Sequence, residues 1–465
     1  MLFTSPVFLF LFLPILLVIY YLSPTKFRNL LLLLASLFFY AWGEGLYVLI
    51  LISMILVNYI FGLIINKTTY KKIWLTSAII FDLGYIFYFK YLIFAMTTLS
   101  TVLLKTGKGP LELPQIIMPL GISFVTFHLI SYVFDIYRKD IRAEKNVLNF
   151  SLYILMFPHL IAGPIVRYKD IGVQIKKRQF SKDQFVEGIK RFVMGLAKKV
   201  LIANVMAAVA DQIFAIFPQY LTGQIVWLAL FSYTLQIYFD FSGYSDMAIG
   251  LAKMFGFNFK ENFNFPYIAN SIKDFWRRWH ISLSSWFRDY LYIPLGGNRK
   301  GKIRTLVNIA IVFTLTGLWH GSNWHFIFWG VYFGFFLILE NLFLGKVLDK
   351  LWFGWRHLYT MGVVIIGWLF FRINSLNYAV YLLKVMVGIN PNKIAVYQLG
   401  NFATREYLAV MLIALVAATP IGRNLYQKIV NKIPAMEIIT TGGLLILSIM
   451  QLAGDTYNPF IYFRF

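Results

Sequence analysis

Cysteine is absent from all 465 residues. That excludes disulfides, thiolate metal sites, S-acylation and a cysteine acyl-enzyme. Charge is scarce: Asp, Glu, Lys and Arg make up 14% of the chain, against about 25% in a soluble domain. Acids are scarcer than bases, 20 against 43, which leaves a net charge of +23. Three catalytic signatures are missing as well. There is no HExxH zinc pair, no Walker A phosphate loop and no GxSxG nucleophile elbow.

What fills the chain is apolar. Hydrophobic residues are 59% and aromatic residues 19%, which predicts an all-α integral membrane protein. A charge of +23 on a soluble protein would suggest nucleic acid. Here the bases fall between apolar runs, so they are a topology signal and an attraction for anionic lipid headgroups. Nucleic acid is not an expected partner.

The first 25 residues carry no charge and have neither a basic n-region nor a small-residue cleavage site. They read as a retained first span. Lys26 and Arg28 follow it, which places the N-terminus outside the cell. Counting apolar stretches against the roughly 20 residues that one span needs gives about 11 to 13 spans. Leu148–Ile165 is broken by Pro158 and by Gly163-Pro164, as a bent or re-entrant segment would be. Arg167–Lys199 gains helical periodicity from Phe185 and reads as an amphipathic helix feeding the next span. Thr305–Leu339 runs 35 residues without Asp, Glu, Lys or Arg, so it must be two segments, divided at Gly321-Ser322-Asn323. The expected organisation is one membrane domain over 1–465. Its N-terminal spans cover 1–145, its core covers 146–345, and its C-terminal spans cover 346–465.

Ionisable groups inside apolar runs are the first candidates for chemistry, because burying them is costly. His320 lies between Gly317 and Gly321 at the division of the charge-free run. It reads either as a neutral general base or as a core histidine bonded across a helix pair. His280 lies among Arg277, Arg278, Trp279 and two further tryptophans, Trp276 and Trp286. That many charges and tryptophans favour an interfacial helix with a solvated His280. A re-entrant helix would instead aim it inward. Asp240 and Asp246 bracket Gly243 and two serines. They are read as an orienting acid, a cation site, partners for Arg277 or Arg278, or a structural ion pair. Arg299, Lys300, Lys302 and Arg304 follow Gly296-Gly297-Asn298. They fit either phosphates of a nucleotide-like donor or a topology signal. His128, His159, His325 and His357 read as structural, with His159 in the broken segment also a candidate to line a cavity. No metal-ligand spacing is present.

The stretch FWRRWHISLSSWFRDYLYIPLGGNRKG, followed by LTGLWHGSNWHFIFWG, resembles the bacterial branch of the membrane-bound O-acyltransferases. The start MLFTSPVFLFLFLP, the stretch YFDFSGYSDMAIGLAKMFGF with ENFNFPY, and the ending YNPFIYFRF are similar to the alginate O-acetyltransferase membrane subunits within it. The resemblance spans the whole chain. It implies a ring of transmembrane helices, with re-entrant and interfacial helices around a central tunnel. It also implies His320 as the catalytic residue and His280 facing the same tunnel.

Trp279, Trp319, Asn323, Arg277, Arg278, Asp240 and Asp246 are then candidate substrate-binding positions, with Asn323 or His280 as oxyanion donors. The implied donor is acetyl-CoA or another acyl thioester, from CoA or an acyl carrier, with no bound cofactor and no metal. The implied partners are an extracytoplasmic acetyltransferase protein and, through it, a polysaccharide. The implied location is a bacterial plasma membrane. D-alanyl or other acyl transfer to teichoic acid or peptidoglycan is the nearest alternative. A transporter or flippase, or a purely structural export subunit, comes from a different class.

Overall fold

The computed structural model describes residues 1–389, 396–454 and 457–461. The last four residues of the YNPFIYFRF ending lie outside them. The described residues are helical, with no strand among them. Among the described residues, seven helical runs are long and apolar enough to cross a membrane, or eight if the bent pair Arg405–Ala417 and Pro420–Lys432 is one span. This is fewer than the 11 to 13 expected from apolar stretches. Thr25–Lys67 and Lys71–Lys105 each join two of those stretches into one run. Others are shorter than a full span, such as Phe8–Leu22 in the expected first span and the nine-residue Val147–Leu155.

Contacts divide the chain into two compact units. One holds Met1–Ile189 and Ala248–Lys260, and the other holds Lys190–Met247 and the described residues from Glu261 to Ile461. In the first unit the broken segment is confirmed. Val147–Leu155 stops at Met156, and Phe157–Leu160 is a single turn with Pro158 in its first positions. His159 is fully buried there, its Nε2 2.9 Å from the Tyr153 carbonyl and its ring 4.9 Å from that of His128. The predicted amphipathic helix Lys182–Ala197 continues without a gap into a 33-residue run ending at Phe214.

The second unit carries both motif histidines. Its charge-free run divides where the sequence placed the break. Lys302–His320 ends at His320, and Trp324–Leu339 starts after Asn323, whose Oδ1 is 3.5 Å from the His325 N–H. The two helices touch backbone to backbone. A Cβ at Gly317 would meet the Phe326 carbonyl oxygen, and one at Gly330 would meet that of Phe313. Only glycine permits that approach.

Candidate active site

Arg277 and Arg278 end the seven-residue helix Ile272–Arg278, and His280 precedes the seven-residue helix Ile281–Phe287. Neither helix is long enough to span. His280 is buried, which corrects the solvated interfacial reading. Its φ is +44°, an unusual conformation for a side chain other than glycine. Three hydrogen bonds hold the turn there. The Asn262 carbonyl accepts the Ile281 N–H at 2.9 Å, the His280 carbonyl accepts the Ser284 N–H at 3.0 Å, and Asn262 Oδ1 is 3.2 Å from His280 Nδ1. The Phe241 ring meets the imidazole edge-on at 4.6 Å.

His320 is buried in an aromatic box. Its ring lies 4.9 Å from Trp319, 4.9 Å from Trp329 and 5.3 Å from Phe371. Trp319 also lies 6.3 Å from His280, so the structure brings both motif histidines against one indole. Trp279 is buried nearby, stacked on Phe275 and Tyr267. Asn323, by contrast, is exposed and serves as the helix cap.

A cavity of about 1250 Å³ opens in this unit. Among the described residues seven basic side chains line it, including Lys273, Arg277, Arg288, Arg299, Lys300 and Lys346, against the two acids Glu340 and Asp349. Arg278 is not among them, because Asp274 at 3.0 Å and the Asn264 carbonyl hold its guanidinium. Lys302 and Arg304 are also outside the lining, with Arg304 turned to the Leu295 carbonyl. Thr305, Ile309, Val312 and Thr316 form the wall on Lys302–His320. The steps of four, three and four follow one helix face, and the next step of four along that face is His320. Trp276 lines the cavity too and packs on Phe313 at 5.4 Å and Trp329 at 5.7 Å.

The two acids are ion-paired, but not with Arg277 or Arg278. Asp246 binds Arg191 at 2.7 Å and Lys198 at 2.7 Å. Asp240 binds Lys199 at 2.8 Å, and its other oxygen accepts the Ile461 N–H at 2.8 Å. The helices that carry these groups are in close contact, since a Cβ at Gly195 would strike the Gly243 carbonyl. Among the described residues, no group of three or more His, Asp and Glu is placed to hold a metal ion.

Two features escaped the sequence reading. The cavity wall was visible in principle as a repeat of three and four that runs into His320. Asn262, 18 residues from His280, carries no local signal.

Residues 125–383 match the membrane-bound O-acyltransferase family. Over the full length of both chains the protein is 40% identical to a probable alginate O-acetylase, AlgI, of Pseudomonas putida. It is 33% identical to a peptidoglycan O-acetyltransferase of Helicobacter pylori, over 100% of this chain and 98% of that one. Similarity to the teichoic acid D-alanyltransferase of Bacillus subtilis is 31% and covers only 48% of this chain and 59% of that one. The chain therefore belongs to the membrane-bound O-acyltransferase family.

Proposed function

We propose that this O-acyltransferase is an acetyltransferase. It takes acetyl from a cytoplasmic thioester, acetyl-CoA, and delivers it to hydroxyls of an extracytoplasmic polysaccharide of the alginate type in a bacterial plasma membrane. An extracytoplasmic partner protein completes delivery to the polymer. One observation carries the reading: the basic cavity follows one face of Lys302–His320 and stops a turn short of His320. The basic loop before that helix belongs on the cytoplasmic side. Guanidinium and ammonium groups at the mouth suit the donor's phosphates. The apolar wall beyond suits an uncharged thioester arm. The cavity is the donor half of a tunnel within a ring of helices, and the whole chain works as one membrane domain.

His320, as a neutral imidazole, takes the proton of the acceptor hydroxyl. The hydroxyl oxygen forms the new C–O bond, the C–S bond breaks, and the departing thiolate receives the proton from the imidazolium. Peptidoglycan is the second acceptor reading, favoured by the full-length relative of that name.

The test is transfer of labelled acetyl from acetyl-CoA by the purified chain in lipid, with the proteins encoded beside it. His320→Ala should lose roughly 10²–10⁴-fold in rate while assembling normally. Transfer by the variant at the wild-type rate would remove His320 from the chemistry.

A further inference from the structure

His280 carries more information than its burial. Asn262 Oδ1 lies 3.1 Å from the Ser282 backbone N–H, 2.8 Å from the Ser282 hydroxyl and 3.2 Å from His280 Nδ1. A backbone N–H only donates, so the Asn262 atom that meets it is the oxygen and not the amide nitrogen. The Asn262 NH2 group is accounted for separately, donating to Ser245 Oγ at 3.1 Å. An oxygen acceptor requires a donor at His280 Nδ1, so the ring proton sits there. Nε2 of the neutral ring is then a lone-pair acceptor. It is buried and has no hydrogen-bond partner among the described residues. The positive φ of His280 is a second sign that this geometry is maintained at a conformational cost.

We infer that Asn262 is a positioning residue for acyl transfer, holding His280 as a hydrogen-bond acceptor for a hydroxyl of the acceptor substrate. This deepens the proposed function and rests on it only in placing the reaction beside Trp319. A neutral His280 with Nδ1 protonated has no hydrogen at Nε2, so it cannot donate to an oxyanion. Its ligand must bring a donor, and at the reacting atoms the acceptor brings an O–H whereas the thioester group, C(=O)–S, carries neither N–H nor O–H. His280 thus belongs to the hydroxyl side of the site, and the oxyanion is left to other donors.

The groups that face the imidazole do not titrate: Asn262, Ser282, Phe241 and Trp319. The charged groups on the surrounding elements include Asp240, paired with Lys199, Asp246, paired with Arg191 and Lys198, Glu261 beside Asn262, also paired with Arg191, and Lys273 and Arg277 on Ile272–Arg278. Arg278 is paired with Asp274, and His320 lies behind Trp319.

The experiment follows acetyl transfer from acetyl-CoA to an alginate oligosaccharide by the full chain in lipid, across pH, for wild type, Asn262→Asp and Asn262→Leu. Asn262→Asp keeps the acceptor but adds a negative charge, which favours the charged imidazole. The acidic limb of kcat/KM should move up by about one pH unit. Asn262→Leu should lower kcat/KM about 10- to 100-fold, through KM for the oligosaccharide, with KM for acetyl-CoA unchanged. If Asn262→Leu does not fold, the Asp variant carries the test alone. An unmoved acidic limb, or a loss that falls on acetyl-CoA, would overturn the assignment. His320→Ala measured in parallel separates the two readings. A variant at His320 that still transfers removes the proposed base but leaves the Asn262 result standing.

Discussion

Asp240 and Asp246 show how two similar acids differ once their surroundings are known. Asp240 and Lys199 are both almost fully buried, with side chains 1% and 4% exposed. Arg191 and Lys198, the partners of Asp246, are 32% and 23% exposed. Removing one member of a buried pair strands the other charge and costs about 3–5 kcal/mol. Asp240→Asn should therefore lower the unfolding temperature of the purified protein more than Asp246→Asn does. The double variant Asp240→Leu with Lys199→Met should recover much of the loss, because no lone charge remains. Equal shifts for the two single variants would show that burial does not set these energies. The acids were legible as costly in the sequence, since they lie inside an apolar run. Their partners were not, because pairing depends on two helices brought together at Gly195 and Gly243.

At the scale of elements, what was legible had a local cause. The break at Gly321–Asn323 followed from a charge-free run too long for one span. The broken segment followed from Pro158 and Gly163-Pro164. The burial of His280 was hidden, because Arg277 and Arg278 give its stretch an interfacial composition. What buries it is Asn262 and Phe241, which come from elsewhere in the chain. The helix pair that presents His320 offers its own test. Gly317→Val places a branched side chain against the Phe326 carbonyl, three residues from His320. Overpacking of this kind typically costs about 1–3 kcal/mol, and here it would also displace the proposed base. The variant should lose both thermal stability and acetyl transfer. Gly442→Val, where a Cβ meets open space, should change neither. A Gly317→Val protein as stable and active as wild type would mean that the contact between the helices is not required.

At the scale of the whole molecule, the excess of bases has two uses, and they respond differently to substitution. Most of the +23 charge sets topology and meets lipid, so single losses are absorbed. The described bases around the cavity are concentrated, seven against two acids, and the proposed thioester donor, with several phosphates, would meet them together. Hydrogen bonds to charged groups contribute about 1.5–3 kcal/mol, or roughly tenfold or more in binding for each one lost. Lys273→Gln combined with Lys346→Gln should therefore raise KM for acetyl-CoA by at least about tenfold while kcat changes little, since neither residue is on the helix that carries His320. The salt dependence of that KM should also flatten, because fewer charges remain to be screened. The paired substitution Lys428→Gln with Lys432→Gln removes the same charge from a helix outside the cavity lining and should leave KM unchanged. A fall in kcat at constant KM in the first pair would place these bases in the chemical step, and the cavity would then not be the route by which the donor enters.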